Sequence, residues 1–98
     1  MIPPSPPSSH TLAKARPTVA TIIQMLAERD LLAGVAIVCR MYHVLPEEAL
    51  GNGRSKQVCA GRRAIYAHLR ELGFSLTEVG ALLGRDHTTI LYGIRKAA

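Results

Sequence analysis

No apolar run in this chain is long enough to cross a membrane. The longest, LLAGVAIVC at 31–39, is about half of the roughly 18 residues a spanning helix needs. The start, MIPPSPPSSH, has neither the basic opening nor the apolar core of a secretory signal, so the expected location is the cytoplasm. Cysteine is scarce. Cys39 and Cys59 are too few for a disulfide framework. Both fall in segments that read as helical, where a free thiol behaves as a small hydrophobe, and both are expected to be buried. Cys39 and His43 stand four apart on one helix face, but no second pair supplies the rest of a zinc site, so neither metal nor cofactor is expected. A catalytic constellation is missing as well. Asp86 and His87 are neighbours with no nucleophile placed to complete a unit; His68 reads as helix surface, His43 as a helix end near its negative pole, and His10 as part of an N-terminal tail. The chain is not expected to be an enzyme.

What is present is charge of one sign in one half. Residues 1–50 are balanced, with Lys14, Arg16, Arg29 and Arg40 offset by Glu28, Asp30, Glu47 and Glu48. Residues 51–98 hold eight cations against Glu71, Glu78 and Asp86, and so carry the whole net charge of +5. A positive field over one half suits a polyanionic partner.

Residues 1–17 hold five of the six prolines, several serines and almost nothing large to bury, which predicts a disordered tail. Met1 and this Pro/Ser-rich start are expected of a natural small protein rather than an excised piece. From Thr18 the apolar positions Val19, Ile22, Ile23 and Leu26 recur at helical steps. Asp30 can cap a second helix in which Leu31, Val35, Val38 and Tyr42 share a face, widened by Leu32, Ala36 and Cys39 until the helix looks largely buried; one long helix over 18–43 is the alternative. LPEEAL at 45–50 predicts a short helix with Pro46 in its first turn, and GNGRS at 51–55 a flexible joint. Ser55 can cap a helix over 56–72 whose inner face is Val58, Ile65, Leu69 and Leu72, with Arg62, Arg63, Tyr66 and Arg70 elsewhere on its surface. Gly61 in its interior predicts a close helix crossing, and Gly73 its end. Ser75 and Glu78 form a capping box ahead of Leu76, Val79, Gly80 and Leu83. Gly84 stops that helix, and Asp86 caps a last one in which Ile90, Leu91 and Ile94 point inward. No alternating strand pattern of useful length occurs, so the fold class is all-α, a helical bundle.

The last two helices satisfy the packing demands of a helix-turn-helix. Counting from Leu76, a small residue is fifth (Gly80), a residue suited to positive φ is ninth (Gly84), and an apolar anchor is fifteenth (Ile90). In such a unit the second helix enters the major groove by its N-terminal end, where short polar side chains must reach base edges. His87, Thr88 and Thr89 fit that need, and Asp86 can accept from a cytosine or cap the helix.

GRDHTTILYGIRKA, with the upstream stretch AIVCRMYHVLPEEALGNGRSKQVCAGRRAIYAHLRELGFSLTEVG, resembles the C-terminal DNA-binding domain of the bacterial replication initiator DnaA over about residues 31–97. The resemblance implies a Trp-repressor-like helix-turn-helix that binds double-stranded DNA at a short asymmetric box of the TTATNCACA type. Asp86, His87, Thr88 and Thr89 match the family's major-groove readers, and Arg54 matches an arginine sent into the adjacent minor groove from the loop before the long helix. Ser55, Lys56, Arg62, Arg70 and Arg85 match positions near the phosphates. The chain departs from the family at Gly61, where proline is common, at Ala60, where a second basic residue is usual, and in the single glycine before Arg85.

The sequence holds no G-x-x-x-x-G-K-[ST]. Residues 18–30 read as the connector helix that would lead to a motor domain, and 31–98 as the DNA reader. The expected function is thus sequence-specific duplex binding in transcription or replication control, without nucleotide binding or ATPase activity. The apolar face of 18–29 has little obvious to cover it, which leaves two alternatives, packing on its own domain or a homodimer through the N-terminal helices. The alternative function is a protein-interaction module that uses those same helices.

Overall fold

The computed structural model of the protein describes residues 17–97, so the tail expected at 1–17 lies outside the described residues apart from Pro17. Among those residues there are six helices and no strand. Helix α1 spans Val19–Glu28. The Thr18 hydroxyl caps it by accepting from the Thr21 N–H at 3.2 Å. Ile22 and Leu26, one turn apart, are buried. The chain then breaks, and the alternative of one long helix does not form. Asp30 does not cap the next helix as expected. It takes a left-handed conformation, φ 57°, which aspartate tolerates better than most residues, and Leu31 becomes the cap without a side-chain bond.

Helix α2 spans Leu32–Met41. It is less buried than its apolar sequence suggests. Val35 and Cys39 are fully buried, but Ile37 and Met41 are 58% and 69% exposed, and Tyr42 is exposed beyond the helix end. The reason is that α2 packs on its neighbours by one side only. Helix α3, Pro46–Ala49, starts as expected at its proline, and the Leu45 N–H donates to the Glu48 carboxylate at 3.0 Å.

Helix α4, Lys56–Glu71, is the hub, packing against α2, α3, α6 and α5, which spans Leu76–Leu83; α6 spans His87–Ala97. The Ser55 hydroxyl caps α4 by accepting from the Val58 N–H at 3.1 Å. Val58, Ile65 and Leu69 face the core, while Leu72, past the helix end, is half exposed. Tyr66 corrects the sequence reading: it is buried rather than superficial. Gly93 of α6 is the cause, because a Cβ there would lie 2.6 Å from the Tyr66 ring. The missing side chain lets the ring fill the α4–α6 crossing. Gly61 does allow a close approach, but not the helix crossing expected of it: a Cβ would stand 2.9 Å from Val44 Cγ2, in the connection between α2 and α3.

Leu26, Val35, Cys39, Ile65, Leu69, Val79 and Ile90 form the driest part of the core. Each large aliphatic among them contributes roughly 1.5–3 kcal/mol by burial. Leu26 and Ile22 belong to this same core, so the apolar face of α1 is covered within the chain.

Candidate nucleic-acid interface

The α5–α6 unit is fixed at every joint by local chemistry. The Ser75 hydroxyl accepts from the Glu78 N–H at 3.1 Å, and the Glu78 carboxylate accepts from the Ser75 N–H at 2.9 Å. These bonds hold the Glu78 carboxyl below its usual range. Gly84 closes α5 in the left-handed region, φ 67°, and the Arg85 N–H returns to the Gly80 carbonyl at 2.8 Å. At Gly80 a Cβ would collide with the Arg85 carbonyl oxygen, so the turn passes directly over that position. Ile90 is fully buried and anchors α6.

Asp86 starts α6. Its Oδ1 accepts from the Thr88 N–H at 2.7 Å. This bond, aided by neighbouring His87, holds the Asp86 carboxyl below its ordinary value. Asp86 Oδ1 also lies 3.5 Å from His87 Nδ1, an ion pair when the imidazole is protonated. His87, Thr88 and Thr89 follow in the first turn, all exposed. The helix therefore opens with a capped acid and three hydrogen-bonding side chains in solvent, and its apolar residues begin at Ile90.

The loop between α3 and α4 presents the exposed Arg54. Two other arginines hold the loop from beneath. Arg62 donates through Nε to the Ala49 carbonyl at 2.8 Å and through Nη2 to the Gly53 carbonyl at 2.9 Å. Arg85 donates through Nη2 to the Gly51 carbonyl at 2.6 Å. This last bond joins residues 34 apart in sequence and brings the arm loop against the turn that precedes His87.

Of the residues expected near phosphates, Ser55 spends its hydroxyl as the α4 cap and Lys56 is exposed in the first turn of that helix. Arg70 lies at the far end of α4, where Nη1 donates to the Phe74 carbonyl at 2.8 Å. Sequence reasoning passed over Tyr92, which is 61% exposed on α6. Its spacing of four from Thr88, with Arg95 and Lys96 a further turn on and also exposed, was the available signal.

Other candidate chemistry falls elsewhere. Cys39 is buried, and burial, with the Glu47 charge adding, pushes its thiol up. Cys59 is only half-buried, against the expectation for both thiols. Among the described residues no group of three or more histidine, cysteine or carboxylate side chains comes together as a metal site, and no helix is long and apolar enough to cross a membrane.

Comparison with known proteins agrees with this geometry. The family model described as the bacterial dnaA protein helix-turn-helix matches residues 35–97. The chromosomal replication initiator protein DnaA of Thermus thermophilus is 44% identical over 71 residues, covering 70% of this chain and 16% of the relative. That of Thermomicrobium roseum is 44% identical over 61 residues, covering 60% and 13%, and that of Roseiflexus castenholzii 43% over 63, covering 62% and 13%. The chain thus spans only 13–16% of the length of these curated relatives. No solved structure matches.

Proposed function

The chain belongs to the bacterial DnaA helix-turn-helix family, and on that premise we propose that it binds duplex DNA sequence-specifically at boxes of the initiator type. Helix α6 enters the major groove by its N-terminus. His87, Thr88 and Thr89 read base edges there, and Asp86 divides its oxygens between the cap and a cytosine amino group. Arg54 reaches into the adjacent minor groove. Ser55, Lys56, Arg62, Arg70 and Arg85 lie along the phosphates and set register. The protein regulates transcription or replication at such sites on the nucleoid, with no nucleotide chemistry of its own. The observation that carries this reading is the Arg85–Gly51 bond, which ties the loop bearing Arg54 to the turn bearing His87.

The test is a fluorescence-anisotropy titration at near-physiological salt, comparing a box duplex with its scrambled form. The expected preference is about a hundredfold or more. His87→Ala should cost about 1–3 kcal/mol on the box and little on the scrambled duplex. Equal, salt-sensitive binding to both duplexes by the unaltered protein would overturn the reading.

A second reading has one observation behind it. Ile37 and Met41 leave an apolar strip exposed on α2, which suits a protein partner or a second copy of this chain. It predicts weak DNA binding indifferent to sequence.

A further inference from the structure

The arm loop is rich in glycine. Gly51 and Gly53 flank Asn52, and glycine gives up more backbone freedom on ordering than any other residue. Yet the Ala49 carbonyl at the end of α3 and two of the loop's own, at Gly51 and Gly53, accept from two guanidiniums. Arg62 comes from the second turn of α4. Arg85 comes from the turn of the helix-turn-helix, two residues before His87.

We infer that Arg62 and Arg85 are positioning residues for Arg54: by clamping these carbonyls they hold the arm loop in register with α6, so that both readers meet one duplex together. The inference rests on the DNA-reading function proposed above and assigns these two residues a task distinct from phosphate contact. The chemistry separates the tasks. A guanidinium has five N–H donors in a rigid fork, and Arg62 spends two of them on carbonyls four residues apart. A lysine carries the same charge to a phosphate, but its ammonium is a compact point charge on a flexible stem and cannot reproduce the fork. Charge-conserving replacement therefore removes the clamp and keeps the charge. Charged donors also make the stronger class of hydrogen bond, which suits a clamp on a glycine-rich segment.

The experiment uses Arg62→Lys and Arg85→Lys, each alone and combined with Arg54→Ala, titrated against box and scrambled duplexes over a range of salt. Each lysine variant should keep the salt slope and lose box preference by about tenfold. In the Arg54→Ala background neither should lower the preference further, because the residue they position is gone. Full box preference in the lysine variants, or losses that multiply in the double variants, would overturn the inference.

A second measurement needs no DNA. Backbone ¹⁵N order parameters of residues 51–54 should fall toward the flexible range, below about 0.6, in the lysine variants, while α4 and α6 stay near about 0.85. An unchanged loop would overturn the clamp. Loss of box preference in the unaltered protein, with the loop still loosened by lysine, would overturn the DNA reading and leave the clamp standing.

Discussion

Gly80→Ala tests the helix-turn-helix geometry most directly. Gly80 lies inside α5, where alanine should be the better residue by about 1 kcal/mol of helix propensity. Against this, the new Cβ would land on the Arg85 carbonyl oxygen, with the Arg85 carbonyl carbon and the His87 nitrogen each 3.5 Å away. All three are backbone atoms, so no rotamer change relieves the contact. The turn cannot drift freely either. Gly84 fixes it in the left-handed region, the Arg85 N–H is bonded to Gly80, and the Asp86 side chain is bonded to Thr88. Overpacking of this kind costs about 1–3 kcal/mol, and a backbone clash belongs at the upper end. The net expectation is a loss of about 1–2 kcal/mol, or roughly 5–10 °C in Tm for a domain of this size. The start of α6 must move, so box affinity should fall as well. Gly73→Ala is the control. Its φ of 103° strains any side chain, but nothing lies within 4 Å of the added atom. It should cost a comparable 1–2 kcal/mol through backbone strain alone and leave box discrimination intact. Thermal melts and anisotropy titrations of both variants decide the matter. A Gly80→Ala protein that melts at or above the unaltered one would falsify the close crossing, and equal loss of discrimination in both variants would detach the crossing from DNA reading.

Three further expectations follow from single residues. The Asp86 carboxyl is stabilised in its charged form by the Thr88 N–H, so its folded pKa lies below the ordinary value of 3.8. A depressed acid contributes stability that is present above its unfolded pKa and lost as pH falls through the folded one; an NMR titration should find the α6 cap intact at pH 4 and released only below 3.8, and a midpoint above 3.8 would refute the capping bond. Arg70→Ala should weaken box and scrambled duplexes alike and reduce the salt slope by about one, and an effect confined to the box would remove Arg70 from the phosphate set. In the folded protein a thiol reagent should modify half-buried Cys59 well before Cys39, whose thiol is sheltered and pushed up by burial; equal rates would mean that the core around Cys39 opens readily.

The α5–α6 unit was legible in the sequence because each of its boundaries depends on chemistry within a few residues. Ser75 with Glu78, Gly84 and Asp86 each act on their own turn, and the structure shows each doing so. Where a residue's part is set by something distant, the sequence misled. Asp30 looks like a helix cap but takes a left-handed turn at the junction where α1 ends and the chain comes back into contact with it as α2. Tyr66 falls outside the apolar stripe of α4 and reads as surface, yet a glycine 27 residues later opens room for its ring. The interior glycine of α6 was a visible signal, of the same kind that Gly61 supplied for its close approach to Val44.

The arginines make the same point about charge. A count of cations in residues 51–98 assigns the whole excess to a polyanion. The fold uses part of it first, since Arg62, Arg70 and Arg85 all donate to carbonyls of this chain. Each of those carbonyls lies at a helix end or in a turn or loop, at 49, 51, 53 and 74. The helix ladders leave such groups unpaired at their ends and in the segments between them. Long cationic side chains are the donors with the reach to do it, and a DNA-reading surface is where such side chains collect. The same composition therefore serves two ends. The cations that the proposed function would set against phosphates also supply donors that fasten this chain's own loops, and one such tie, Arg85 to Gly51, runs between the two segments that the proposed function requires to act on one site.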